Sequence, residues 1–176
     1  MEYKALNEND ICSGLFAHFT RRQTVTKCYR KIGGEWVIRD VPFIDDWSEE
    51  EYAELIFDLK NTVKTGGAVF GALDESGRLK GFASVEPAPL GREREYLDLS
   101  SIHVSQDARG CGTGRALFLL AKDWARAHGA KKLYISAHSA VETQAFYQAM
   151  GCVDALEPND EHVLKEPFDR QLECVL

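Results

Sequence analysis

Residues Asp107–Leu117 read DARGCGTGRAL, behind a β-type run, YLDLSSIHV (Tyr96–Val104), and ahead of a segment with a helical face. Few folds accommodate a strand that feeds into three glycines on alternate positions and then into a helix. Such a junction leaves backbone N–H groups unpaired at the positive end of a helix dipole, and the glycines let a ligand approach the backbone. A phosphate or pyrophosphate suits it. Two phosphate loops fail on spacing: GxxxxGK[ST] meets Arg115 five residues after Gly110, and GxGxxG meets the same arginine where its third glycine belongs. The plain alternative is a glycine-rich turn that serves packing alone.

Any anion must be held locally, because the chain as a whole carries a formal charge of −7. That surface argues against nucleic-acid and anionic-membrane partners. The 176 residues suit one domain, 1–176, with a sizeable core. The first residues, MEYKALNEND, lack a cationic start with an apolar core, and no apolar run reaches membrane-span length, so a cytoplasmic location is expected. The five cysteines (Cys12, Cys28, Cys111, Cys152, Cys174) are scattered without a CxxC pair, which suggests reduced thiols and no metal site.

Elsewhere the periodicity alternates between strand and helix. A short strand near Tyr3–Leu6 precedes a helix expected over Ile11–Phe19, after the capping types Asn9 and Asp10. Tyr52, Leu55, Ile56, Leu59 and Val63 form a second helical stripe behind a capping box of Ser48 and Glu51. AVFGAL (Ala68–Leu73), a DESG turn and LKGFASV (Leu79–Val85) read as a hairpin. Leu117, Leu120, Ala121 and Trp124 mark a helix over Gly114–His128, stopped by Gly129. A strand KLYISA (Lys132–Ala137) follows, then a helix over Ser139–Met150 with its own box of Ser139 and Glu142, and strands at Cys152–Leu156 and Gln171–Leu176. Phe19–Trp47 mixes basic residues, a Gly33-Gly34 turn and the acidic FIDDW; it reads as a long loop, a hairpin or a lid.

Two motifs then combine. Arg109-Gly110-Cys111-Gly112-Thr113-Gly114 has the pattern R-x-x-G-x-G, and AFYQAMGC (Ala145–Cys152) follows it downstream. Together they resemble the acetyl-CoA pyrophosphate loop and the FYxxxGF element of the GCN5-related N-acetyltransferase (GNAT) superfamily. The resemblance covers nearly the whole chain. It implies an α/β (α+β) fold with a mixed, mostly antiparallel central sheet, splayed between its fourth and fifth strands and flanked by the four helical segments above. Acetyl-CoA would lie in the gap as co-substrate, with no metal. Carried over by position, Arg109 to Gly114 and Arg115 would hold the pyrophosphate, and Ile102, His103 and Val104 would lie along the pantetheine arm. Ala140 and Ser139 stand where many members have an asparagine, so Ser139 is left as a weaker pantetheine contact. Cys111 reads either as a small packing residue or as a reactive thiol at a helix start.

The implied reaction is direct attack of a primary amine on the thioester in a ternary complex. Tyr147 matches the family's general acid on the CoA sulfur; Phe146 beside it reads as core. Asp98, a carboxylate in an apolar strand eleven residues before Arg109, stands at the offset of the base in some members. An ion pair with a neighbour such as Arg94 explains it equally well. Glu86 is the second candidate base and His103 the third. A small-molecule amine is the favoured acceptor, with the acidic run DDWSEEE (Asp45–Glu51) beside Trp36, Phe43 and Trp47 as the clue to a cation. Glu49, Glu50 and Glu51 are better explained as favouring a helix N-terminus. A homodimer is left open. The competing readings are a catalytically silent acyl-CoA-binding sensor or structural module and, more remotely, a nucleotide-binding protein.

Overall fold

The computed structural model describes the whole chain, Met1–Leu176. Ten strands and five helices follow in the order β1 (Glu2–Leu6), α1 (Ser13–Phe16), β2 (Gln23–Ile32), β3 (Glu35–Asp45), α2 (Glu49–Lys64), β4 (Ala68–Leu73), β5 (Leu79–Val85), β6 (Tyr96–Asp98), β7 (Ser101–Val104), α3 (Thr113–Ala127), β8 (Lys132–Ala137), α4 (Val141–Ala149), β9 (Val153–Asp154), α5 (Asp160–Lys165) and β10 (Arg170–Val175). One sheet has the order β1-β4-β5-β7, a second the order β6-β8-β10-β9, and β2-β3 is a separate hairpin. Only β6 and β8 pair in parallel. No helix is long and apolar enough to cross a membrane.

The first sheet is covered on both faces, which is why β4 and nearly all of β5 are buried. Strand periodicity sorts the residues. Phe70, Ala72, Ala83 and Val85 face α3 with Leu117, Phe118 and Ala121. Val69, Leu79 and Phe82 face the opposite cluster with Ile11, Phe16, Phe19 and Leu59, from the α1 and α2 side. Helix α2 begins as its sequence predicts: Ser48 Oγ accepts from Glu51 N at 3.2 Å, and Glu51 Oε2 accepts from Ser48 N at 2.7 Å. Such a box contributes about 1 kcal/mol.

Four expectations need correction. The first helix covers only Ser13–Phe16, although Ile11 and Phe19 still pack in the core. The run Tyr96–Val104 is two strands, because its first half bonds to β8 and its second half to β5. The Ser139–Glu142 box does not form: α4 starts after Ala140, and Ser139 Oγ instead accepts from Arg30 Nη1 at 2.7 Å. A fifth helix, α5, occupies a stretch where no element was read.

Of the three readings open for Phe19–Trp47, the hairpin is the one observed. Gly33 and Gly34 turn it with φ of 59° and 90°, the left-handed pair that a tight hairpin turn requires. Tyr29 N donates to Ser139 O at 2.8 Å, which fastens β2 to the start of α4.

Candidate active site

The break between β6 and β7 creates the site. Leu99 N still reaches Tyr134 O on β8 at 2.9 Å, whereas from Ser101 onward the chain pairs only with β5. β7 therefore ends its sheet with one edge unpaired. A cavity of about 1210 Å³ opens there, lined by β7 on one side and by Ser136, His138 and the α5 region on the other.

One wall is made chiefly of backbone. Ile102, His103 and Val104 line it, followed by Arg109, Gly110, Gly112, Thr113, Gly114 and Arg115. Gly110 and Gly112 have φ of 75° and 82°, and a Cβ on either would meet no atom within 4 Å. Gly112 caps α3, whose first intrahelical bond runs from Ala116 N to Gly112 O at 3.0 Å. The N–H groups of the first helical turn thus lack intrahelical acceptors. The Arg109 side chain is committed elsewhere: Nε donates to Val104 O at 3.1 Å and Nη2 to Arg21 O at 2.7 Å. These two bonds fix the loop. Cys111 is exposed and does not line the cavity, so a packing role does not hold for it.

This wall is electropositive. Arg21 is ion-paired with Asp45 and lies over the Trp47 ring at 5.2 Å. His103 packs against Trp47 and Phe82, with ring centroids at 4.7 and 5.4 Å. Burial, then the charges of Arg21 and Arg109, brings its pKa down to about 3. It is neutral near pH 7 and a poor proton acceptor.

Tyr147 projects from α4 with its ring 6.3 Å from Phe118 and 5.2 Å from Phe146. Burial, then Cys152, Asp169 and Asp98, pushes its hydroxyl far above the usual phenol range. It stays protonated, and it lines the cavity.

The second wall is made of side chains. Asp98 Oδ2 lies 2.9 Å from His162 Nε2, while the other carboxylate oxygen is buried without a hydrogen bond. Its partner is this histidine rather than Arg94. Glu86 Oε1 accepts from Thr62 Oγ1 at 2.6 Å and from Ser100 Oγ at 2.9 Å. Asp169, beside Ser136, is pushed up to about 6 by burial first and then by Glu166. His138 is pushed down by burial, and its Nδ1 accepts from Ala140 N at 3.2 Å.

Sequence reasoning missed His162 and Asp169. The signal available for α5 was Asn159 followed by Asp160 and Glu161: Asn159 Oδ1 does accept from His162 N at 3.1 Å. Ser139 is buried, bonded to Arg30 and absent from the lining, so it makes no wall of the cavity. The acidic run contributes Trp47 and a single carboxylate, Asp45, which Arg21 neutralises; Glu51 serves the helix box, and neither it nor Glu49 or Glu50 reaches the cavity. Trp36 lies away from it, near Lys31 and Arg170. The cavity's other carboxylates come from Asp58, Glu86, Asp98, Glu142, Glu166 and Asp169.

The family model for the acetyltransferase (GNAT) family matches residues 35–152, which spans both the parted strands and the glycine loop. The chain belongs to the GNAT family. No curated protein sequence matches this GNAT chain, but solved structures do. Nourseothricin acetyltransferase is 20% identical, with 98% of this chain and 95% of that chain covered and a TM-score of 0.65. The acetyl coenzyme A complex of a Bacillus anthracis protein assigned as a streptothricin acetyltransferase is 19% identical, with coverages of 98% and 94% and a TM-score of 0.70. The Thermoplasma acidophilum PaiA N-acetyltransferase, in complex with coenzyme A, is 14% identical over 100% of both chains, with a TM-score of 0.61. At these identities the likeness establishes the shared GNAT fold: mixed α/β, with mostly antiparallel sheets.

Proposed function

We propose that the protein transfers the acetyl group of acetyl-CoA to the primary amine of a small molecule, by direct attack within a ternary complex. The observation that carries this reading is the cavity between β7 and β8, whose lining joins the free N–H groups of a helix start, a protonated buried tyrosine and several carboxylates. The residues present fit the co-substrate. Space in front of Gly110 and Gly112 suits a pyrophosphate, and the unpaired edge of β7 suits a pantetheine amide chain that adds as a strand. Bound acetyl-CoA supplies the activated acyl group.

The chain's own residues then have two tasks. Tyr147 donates a proton to the departing sulfur, which burial suits it to do by keeping the hydroxyl protonated. The amine loses its proton toward the acidic wall, where Asp98 and, second, Glu86 are the carboxylates brought to the cavity from the sequence candidates. An acceptor carrying positive charge is attracted to that wall. The names of the two antibiotic acetyltransferases make streptothricin the first acceptor to try.

The test has two stages. Acetyl-CoA should raise the melting temperature where ATP and NAD do not, and CoA thiol should then appear with streptothricin, spermidine or another primary amine. Stabilisation without thiol release from any amine would favour the acyl-CoA sensor; equal stabilisation by ATP would overturn the assignment of the loop.

A further inference from the structure

Three histidines line the cavity, and their surroundings differ. His103 is enclosed by aromatic rings on the electropositive wall. His138 has Nδ1 occupied by a backbone N–H and Phe43 against its ring at 5.8 Å. His162 alone has a carboxylate on one ring nitrogen, Asp98 Oδ2 at 2.9 Å from Nε2. Its ring also stacks on Tyr134 at 5.4 Å with an interplanar angle of 28°, and its backbone N–H is held by Asn159. Asn159 N in turn donates to the Tyr134 hydroxyl at 2.8 Å. A carboxylate, a stacked ring and a cap therefore fix this one imidazole.

We propose that His162 Nδ1 accepts the proton of the attacking amine and that Asp98 is a positioning residue, holding the ring by Nε2. This rests on the acetyl-transfer reading above and names the proton acceptor within it. With Nε2–H donated to Asp98, the neutral ring carries its lone pair on Nδ1. The amine nitrogen forms its bond to the thioester carbonyl carbon and gives one proton to Nδ1. The C–S bond then breaks, with its electron pair leaving on sulfur and a proton arriving from Tyr147. His162 releases its proton to water and Tyr147 regains one, so the neutral amine and acetyl-CoA yield the amide and CoA thiol with no net proton released. Glu86 is less suited, since two hydroxyls already donate to its carboxylate.

The groups facing His162 are Asp98 from β6, Tyr134 from β8, Glu161 and Lys165 on its own helix, and Asp169 before β10. Their balance raises the His162 pKa above its ordinary value, with the Asp98 hydrogen bond the largest cause. Turnover should rise with pH through that raised value.

The experiment uses the full chain with acetyl-CoA, streptothricin as acceptor probe, and the variants His162→Gln and Asp98→Asn. His162→Gln should lose roughly 10²–10³-fold in kcat at pH 7, the scale of a lost base, and should lose the acidic limb of the pH profile. Asp98→Asn should keep more of kcat at pH 8 while the limb moves to lower pH, and nitrogen NMR of the His162 ring should show the same downward move. Imidazole added to His162→Gly should restore part of the rate, which a merely structural histidine would not allow. Near-full activity in His162→Gln with a collapse in Asp98→Asn would make Asp98 the base and overturn the proposal, as would a wild-type His162 that titrates below the ordinary histidine value. A wild type that releases no CoA with any amine overturns the acetyl-transfer reading itself, an outcome distinct from these.

Discussion

The two walls of the cavity are built by opposite rules. The β7 wall presents backbone groups, contains the arginines Arg21, Arg109 and Arg115, and drives its histidine to a pKa of about 3. The α5 wall presents side chains, is rich in carboxylates, and raises its histidine above the ordinary value. Near pH 7 one wall therefore suits an anionic, phosphate-bearing ligand and the other a cationic amine. Backbone recognition needs glycines and a helix start close together in sequence; side-chain recognition draws on β6, β8, α5 and the turn before β10, which only the fold unites.

The largest effect is expected where the walls meet. Tyr147→Phe removes the hydroxyl but keeps the buried ring, so kcat should drop by roughly 10²–10⁴ while acetyl-CoA affinity stays within about twofold. Steady-state kinetics with calorimetric titration of acetyl-CoA separates the two. Unchanged kcat, in conditions where the chemical step limits turnover, would leave the centre of the cavity without its acid.

Next comes the β7 wall alone. Gly112 sits at φ of 82° with open space before it. Gly112→Val places a branched side chain where a pyrophosphate would approach and strains the backbone by about 1–2 kcal/mol. Acetyl-CoA should bind at least roughly tenfold more weakly, equivalent to about 1.4 kcal/mol, in a chain that still folds. Asp98→Asn, on the other wall, should leave that affinity nearly unaltered. Equal losses from both substitutions would mean that the walls do not divide the ligands between them.

That division also decides what could be read from the sequence. The glycine loop, the strand before it and Tyr147 lie in contiguous motifs, so local pattern locates them; all are at the cavity, with Cys111 turned out to solvent. Periodicity likewise locates β4, β5, α2 and α3, whose apolar stripes are long. It does not reveal that Tyr96–Val104 breaks, because both halves have β-type residues and only the change of partner from β8 to β5 separates them. It misleads at Ser139, where a capping pattern loses to Arg30, a residue 109 positions away. It omits His162, whose helix is six residues long and gains its meaning from Asp98, far earlier in the chain. The acidic run before α2 reads as the cation-binding feature, yet its one carboxylate at the cavity is neutralised by Arg21.

The smallest effects, on stability, oppose one another in sign. His103 has its folded pKa depressed from the ordinary histidine value of about 6.5 to about 3, so the unfolded chain takes up the proton first as pH falls. Its contribution is present above about pH 6.5 and is lost as pH drops toward the folded value. His162 has its folded pKa raised, so its contribution is full below about pH 6.5 and is lost as pH rises through the folded value. Neutral replacements isolate the two. Melting curves of His103→Gln and His162→Gln beside the wild type, from pH 5 to pH 8, should give stability differences that move in opposite directions. The wild type's advantage over His103→Gln should shrink toward pH 5, by up to about 1.4 kcal/mol per pH unit, the limit that one proton sets. Its advantage over His162→Gln should shrink toward pH 8, by less, because that ring is partly open to water and its attraction to Asp98 is screened. Parallel curves for both variants would show that neither wall holds its histidine away from the ordinary value, and the contrast of charge across the cavity would then have no thermodynamic basis.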